Sequence, residues 1–134
     1  MDDPTTVLEA LPLASLPSLK QPLEGGTFCG VITLPDGEHY AVVKLDAKPE
    51  KRLGWKAAIA WAQKVGGRLP SRAVSALLFS VAPDLFEPSW HWTCEPEGSS
   101  CGWYCLFSGS GGHGYNGTSN EGCAVAVRMI PLTT

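Results

Sequence analysis

The sequence predicts a mixed α+β domain, and three observations carry that prediction. Two β-rich runs flank Pro35-Asp36-Gly37-Glu38, two helical patterns lie on either side of Gly66-Gly67, and strand-like alternation resumes at Trp90. At 134 residues there is room for one domain with a real core. We place it at 25–134, behind a proline- and leucine-rich arm over 1–24.

The arm carries Pro4, Pro12, Pro17 and Pro22 among Leu8, Leu11, Leu13, Leu16, Leu19 and Leu23. Prolines at this spacing prevent a continuous helix, and no Val/Ile alternation supports a strand. The reading is a flexible or extended arm whose leucines can dock on its own domain or on a partner.

Phe28–Leu34 and His39–Leu45 then form a β-hairpin, because Pro35 presets φ and Gly37 accepts a positive φ. Residues from about Lys51 to Val65 put Trp55, Ile59 (or Ala58), Ala62 and Val65 on one helical face. Gly66-Gly67 ends that helix. Ser71 caps the next by offering its hydroxyl to the orphan N–H groups of the first turn. The second helix runs from about Arg72 to Val81, buries Val74, Leu77, Leu78 and Val81, and stops at Pro83-Asp84.

Three strands are expected at Trp90–Cys94, Cys101–Ser108 and Cys123–Ile130, each with alternating large apolar residues. Trp90 and Trp92 share one face, directed at the core. Tyr104 lies opposite Trp103 and is the better candidate for exposure. Between the last two strands, 109–122 holds six glycines in fourteen residues, so we expect an exposed loop without core duty. It presents His113, Tyr115, Asn116 and Asn120, and long loops on a rigid sheet are where binding function concentrates.

Composition narrows the function classes. An apolar fraction of 44% with 17% charge is that of a soluble globular protein. A net charge of −3 gives no electrostatic reason to expect nucleic acid. No stretch approaches the ~18 apolar residues of a membrane span, and Met1-Asp2-Asp3-Pro4 is acidic where a secretory signal is basic. The expected location is cytoplasmic.

Motifs that suggest chemistry are weak. Gly109-Ser110-Gly111-Gly112-His113-Gly114 fits G-x-G-x-x-G, but the adjoining Tyr115-Asn116-Gly117-Thr118-Ser119-Asn120 has no helical period to hold a pyrophosphate. Cys94, Cys101, Cys105 and Cys123, with His91 and His113, lack the paired knuckle spacing of structural zinc. Cys101 and Cys105 lie about 13 Å apart along a strand. Buried thiols are expected and, if oxidised, the pairs Cys94–Cys101 and Cys105–Cys123. A Cys/His nucleophilic pair is formally available, but no spacing assigns a base. Glu95-Pro96-Glu97 lacks the Asn and the Trp-Asn-Asp partner of a lectin calcium motif. No metal, cofactor or catalytic residue is expected.

Trp55-x2-Ala58-x2-Trp61-Ala62, Gly66-Gly67-Arg68-Leu69-Pro70-Ser71-Arg72, Ala76-Leu77-Leu78-Phe79, Phe86-Glu87-Pro88, Trp90-His91-Trp92-Thr93 and Ala124-Val125-Ala126-Val127-Arg128 together resemble small phage and prophage proteins. These carry the Lcl C-terminal type domain, a compact C-type-lectin-like fold. The resemblance covers about residues 25–130. It implies two helices packed on a twisted antiparallel sheet, N- and C-terminal strands paired, and residues 27 and 131 close together. Related chains carry Ser, Ala, Gln or Arg where this one has cysteines. The implied function is a non-enzymatic phage- or prophage-type binding module, recognising a host or phage protein or a surface glycan through the 109–122 loop and sheet edge. The candidate binding residues are His113, Tyr115, Asn116, Asn120 and Tyr104. The alternative is a phage-encoded cytosolic inhibitor of a host defence enzyme, anti-CRISPR-like, acting by protein–protein binding.

Overall fold

A computed structural model describes residues 8–134. Pro4 and the rest of 1–7, part of the expected arm, lie outside the described residues. Among the described residues the fold is α+β, with two α-helices and two sheets. Its strands are β1 (Leu11–Pro12), β2 (Pro22–Leu23), β3 (Gly26–Thr33), β4 (His39–Leu45), β5 (Trp90–Glu97), β6 (Cys101–Leu106), β7 (His113–Gly117) and β8 (Val127–Thr133). Helix α1 spans Trp55–Lys64 and α2 spans Arg72–Val81. A curled, mixed five-stranded sheet has the order β1-β8-β4-β3-β2, and a three-stranded sheet the order β5-β6-β7.

The hairpin forms where its turn chemistry put it. Gly37 has φ +83°, Gly37 N–H donates to Leu34 C=O, and β3 runs antiparallel to β4. Strand β4 is buried on both faces, which is why it reads as a nearly continuous apolar run. Ala41, Val43 and Leu45 enter one core cluster with Ala58, Ala62 and Trp92, while Val42 enters a second with Val74, Leu78, Phe86 and Phe107. Helix α1 therefore serves one side of the large sheet and α2 the other.

Both helices end as their punctuation requires. Gly66, at φ +89°, ends α1, and Gly67 N–H donates to Ala62 C=O. The α1 start lies at Trp55 rather than near Lys51. Ser71 Oγ accepts the Val74 N–H at 3.1 Å and caps α2. Its buried face is Val74, Ser75 and Leu78, with Leu77 and Val81 half-buried.

Strand β8 pairs antiparallel with β4, in register from Tyr40↔Pro131 to Lys44↔Val127. The hairpin and the chain end are thus joined, but through the second hairpin strand. Thr27 aligns through Lys44 with Val127, so residues 27 and 131 are not neighbours. The arm contributes an edge to each side of the large sheet. Leu11 pairs parallel with Leu132, and Pro22 and Leu23 pair with Thr27 and Gly26. Leu8, Leu11, Leu16 and Leu23 pack on the α1-side cluster.

Two expectations fail at the C-terminal half. The segment 123–126 is buried but is not strand; β8 begins at Val127. Trp92 N–H donates to Cys123 C=O and Leu45 N–H to Ala126 C=O, so these residues cross from the small sheet to the large one. A segment that changes sheets cannot keep the ladder of either.

The second failure is the glycine-rich loop. His113–Gly117 forms β7, paired antiparallel with β6 from Cys101↔Gly117 to Cys105↔His113. Three of the six glycines in 109–122 are seats for aromatic rings. A Cβ on Gly114 would stand 2.6 Å from the Tyr104 hydroxyl, and one on Gly122 would overlap the Trp90 ring. Gly111 lies in the same way under Phe79, and Gly102 of β6 under Trp55. The segment has core duty because it lacks side chains there.

Candidate functional site

The register of β6 and β7 divides the five expected site residues between two faces. Directly opposed residues share a face and successive ones alternate. Trp103 opposes Tyr115, and Cys105 opposes His113, on the face toward α2. Tyr104 opposes Gly114, and Gly102 opposes Asn116, on the other. Asn120 lies in the exposed turn beyond β7, its N–H donating to Gly117 C=O. The five do not form one constellation.

Tyr104 is half-buried, not the exposed platform its alternation suggested. Its ring lies 5.2 Å from Trp90, which meets Trp92 edge-on at 4.9 Å. This face closes over Trp92, which is fully buried and donates its indole N–H to Leu53 C=O at 2.8 Å. Tyr104 is thus a packing residue.

The other face carries an ordered polar–aromatic group. Tyr115, 56% exposed, is the large exposed aromatic among the described residues. It meets Trp103 edge-on at 5.2 Å. The Arg72 guanidinium lies 3.7 Å from the Trp103 ring centroid, a close cation–π stack. Arg72 Nε donates to His113 Nδ1 at 3.3 Å, and Arg72 backbone N–H donates to Glu95 Oε2 at 2.7 Å. Burial, and then the Arg72 charge, hold the His113 pKa below its ordinary value. A neutral imidazole accepting at Nδ1 is the form that fits this contact.

Strand β5 is fixed to this group from behind. Thr93 Oγ1 donates to Trp103 C=O, and Glu95 N–H donates to Thr93 Oγ1. Glu95, the first residue of the Glu-Pro-Glu run, therefore accepts from the α2 N-terminus. Arg72 and Glu95 were missed by sequence reasoning, which treats Trp103 only as one aromatic among several. The signal that would unite them, the pairing of Trp103 with Tyr115, exists only if 113–117 is a strand.

The Cys/His chemistry takes a different form from an activated pair. All five thiols are free. Glu97, not Cys94, opposes Cys101. His91 pairs with Cys105 on one side and Cys123 on the other. Two strand spacings, about 9.6 Å, then separate Cys105 and Cys123, beyond the reach of a disulfide. Burial pushes the Cys123 thiol up, and the Glu87 carboxylate, which accepts from its Sγ at 3.2 Å, pushes it further. Burial pushes His91 down to about 4, against a partial offset from Ser89 C=O, which sits 3.0 Å from its Nδ1. At neutral pH both groups are uncharged, the reverse of a thiolate–imidazolium nucleophile.

Among the described residues no group of three or more His, Cys, Asp or Glu side chains is gathered to hold a metal, and no helix is long and apolar enough to cross a membrane. The run Gly109–Gly114 leads into strand β7 rather than a helix, so it offers no helix N-terminus to a pyrophosphate. A scan against protein-family models finds no match, and a search of the curated proteins finds none either.

Proposed function

We propose that this chain is a non-enzymatic binding module of phage or prophage type, with a C-type-lectin-like fold, that recognises a host or phage protein through the α2-side face of β6 and β7. The observation that carries the reading is Tyr115, an exposed aromatic held by Trp103, with Arg72 stacked on that same indole. Aromatic and Arg side chains fixed before binding lose little conformational entropy on association and dominate interface energetics. The recognition surface is a preformed strand face rather than a mobile loop. His113 belongs to it, Asn120 lies in the turn beyond it, and Asn116 and Tyr104 lie on the opposite face.

The lectin-like assignment is supported by the order of elements. A hairpin, two helices and a small separate sheet precede a terminal strand that returns to the hairpin. The non-enzymatic assignment is supported by the uncharged state of the Cys123 and His91 pair. Immobilised wild-type protein and the variants Tyr115→Ala and Trp103→Ala, exposed to host lysate, test the reading. Wild type should retain a dominant protein that both variants lose while still melting cooperatively. Capture of a defence enzyme would assign the inhibitor role, and capture of envelope protein or glycan the adhesin role. Equal capture by all three proteins would refute the surface.

A further inference from the structure

Apart from the β6–β7 face, a cleft of ≈ 380 Å³ opens between the 46–52 segment, the turn after α2 and the 123–125 crossing. Its lining concentrates positive charge in a protein whose net charge is −3. Lys44, Lys48, Lys51 and Arg52 face it, against the carboxylates of Glu50 and Glu87. Lys44 is the unusual member. It lies on β4, on the same side as Val42, and is 6% exposed.

A buried ammonium is normally paired, because removing it from water without a counter-charge is costly. Among the described residues the ion pair present is Lys20–Asp84, so Lys44 has no carboxylate partner. Its Nζ donates to Leu45 C=O at 3.3 Å and stands 5.6 Å from the centroid of the Phe86 ring. One long hydrogen bond and one ring face leave donor capacity unused in an ammonium that carries three. Burial, and then the neighbouring Lys48 charge, hold Lys44 below its ordinary pKa, against a partial offset from the Asp46 carboxylate, which lies beyond ion-pair distance. A cation this unsatisfied is retained at a cost to stability unless something binds it.

We propose that the cleft is a binding site for a small dianionic oxyanion, a phosphate or a dicarboxylate, with Lys44 at its base and Lys48, Lys51 and Arg52 at its rim. Lys44 supplies the desolvated charge, where a charge-assisted hydrogen bond is strongest. The rim cations raise the local concentration of anions and close on the second charge. Phe86 and His91 form an aromatic wall for the body of a ligand that carries the group. With His91 neutral at pH 7, that wall adds no charge of its own.

The test is thermal denaturation of the full chain in rising inorganic phosphate, and separately in rising succinate, with ionic strength held constant by sodium chloride. Wild type should gain melting temperature saturably in at least one series, and the series that does so names the chemistry. Lys44→Met keeps the apolar stem and removes the charge. It should fold, melt at or above the wild-type temperature without ligand, and lose at least about tenfold in apparent affinity. Should Lys44→Met fail to fold, Arg52→Gln at the exposed rim takes its place and should weaken binding several-fold. No saturable gain in either series would overturn the proposal, as would a gain that survives in the folded Lys44→Met or, in its place, Arg52→Gln.

Discussion

Gly122→Ala separates two accounts of the glycine-rich segment. If 109–122 were a free loop, alanine would restrict the unfolded chain and stabilise the protein by ~0.4–1 kcal/mol. In the structure a Cβ at Gly122 would overlap the Trp90 ring, and that ring is held between Trp92 and Tyr104. Overpacking of this kind costs ~1–3 kcal/mol. Taken at the mid-points, the difference is a net destabilisation of about 1.3 kcal/mol, or roughly 4–6 °C in Tm for a chain of this size. Gly112 is the internal control, because a Cβ there meets nothing within 4 Å and its φ is not positive. Gly112→Ala should leave Tm unchanged or raise it slightly. Calorimetry of both variants, with urea denaturation to confirm an unchanged m-value, measures the effect. Trp90→Leu makes room, so the Gly122→Ala penalty should shrink in that background. A Gly122→Ala protein as stable as wild type would refute the ring-seat account.

Three further outcomes are expected. Trp92→Ala should cost roughly 3–5 kcal/mol by chemical denaturation, since it empties a fully buried site and strands the Leu53 carbonyl. Arg72→Met should move the His113 titration upward, toward 6.5, in an NMR pH series, because a cation that holds it down has gone; no movement would show that Arg72 does not act on the ring. His91 gives an acid-sensitivity with a definite sign. Its folded pKa, about 4, is below its unfolded value of 6.5, so the unfolded chain binds the proton first. Its contribution is complete above pH 6.5 and is lost as pH falls toward 4, amounting to about 3 kcal/mol. His91→Gln should flatten that part of the stability–pH curve relative to wild type.

What was legible in the sequence was whatever has a local cause. The Pro35–Glu38 turn and the Ser71 cap act within four residues, so both hairpin strands and α2 were placed nearly to the residue. The segment 123–126 was misread for the opposite reason. Its alternation of Cys123, Val125 and Val127 is real, but it arises because the chain passes between two sheets and is buried by both. Periodicity reports which side chains are covered and cannot report that the cover changes.

The candidate sites were hidden by the same limit in a stronger form. Glycine carries no side chain, so its packing role depends on a ring contributed from elsewhere in the chain. Phe79, Trp90 and Tyr104 are separated in sequence from the glycines they cover, and no window of residues shows the match. Reading 113–117 as loop removed the strand that sets Tyr115 opposite Trp103, and with it the reason to connect Arg72 to either. Lys44 shows the converse. A lysine near the end of a hairpin strand carries no local mark of burial, and only the packing of Phe86 and its neighbours across that face of β4 makes it a buried cation. Both sites therefore depend on side chains whose neighbours are set by tertiary pairing. Substitutions in those neighbours, Gly114 or Phe86, should disturb function as surely as changes in Tyr115 or Lys44 themselves.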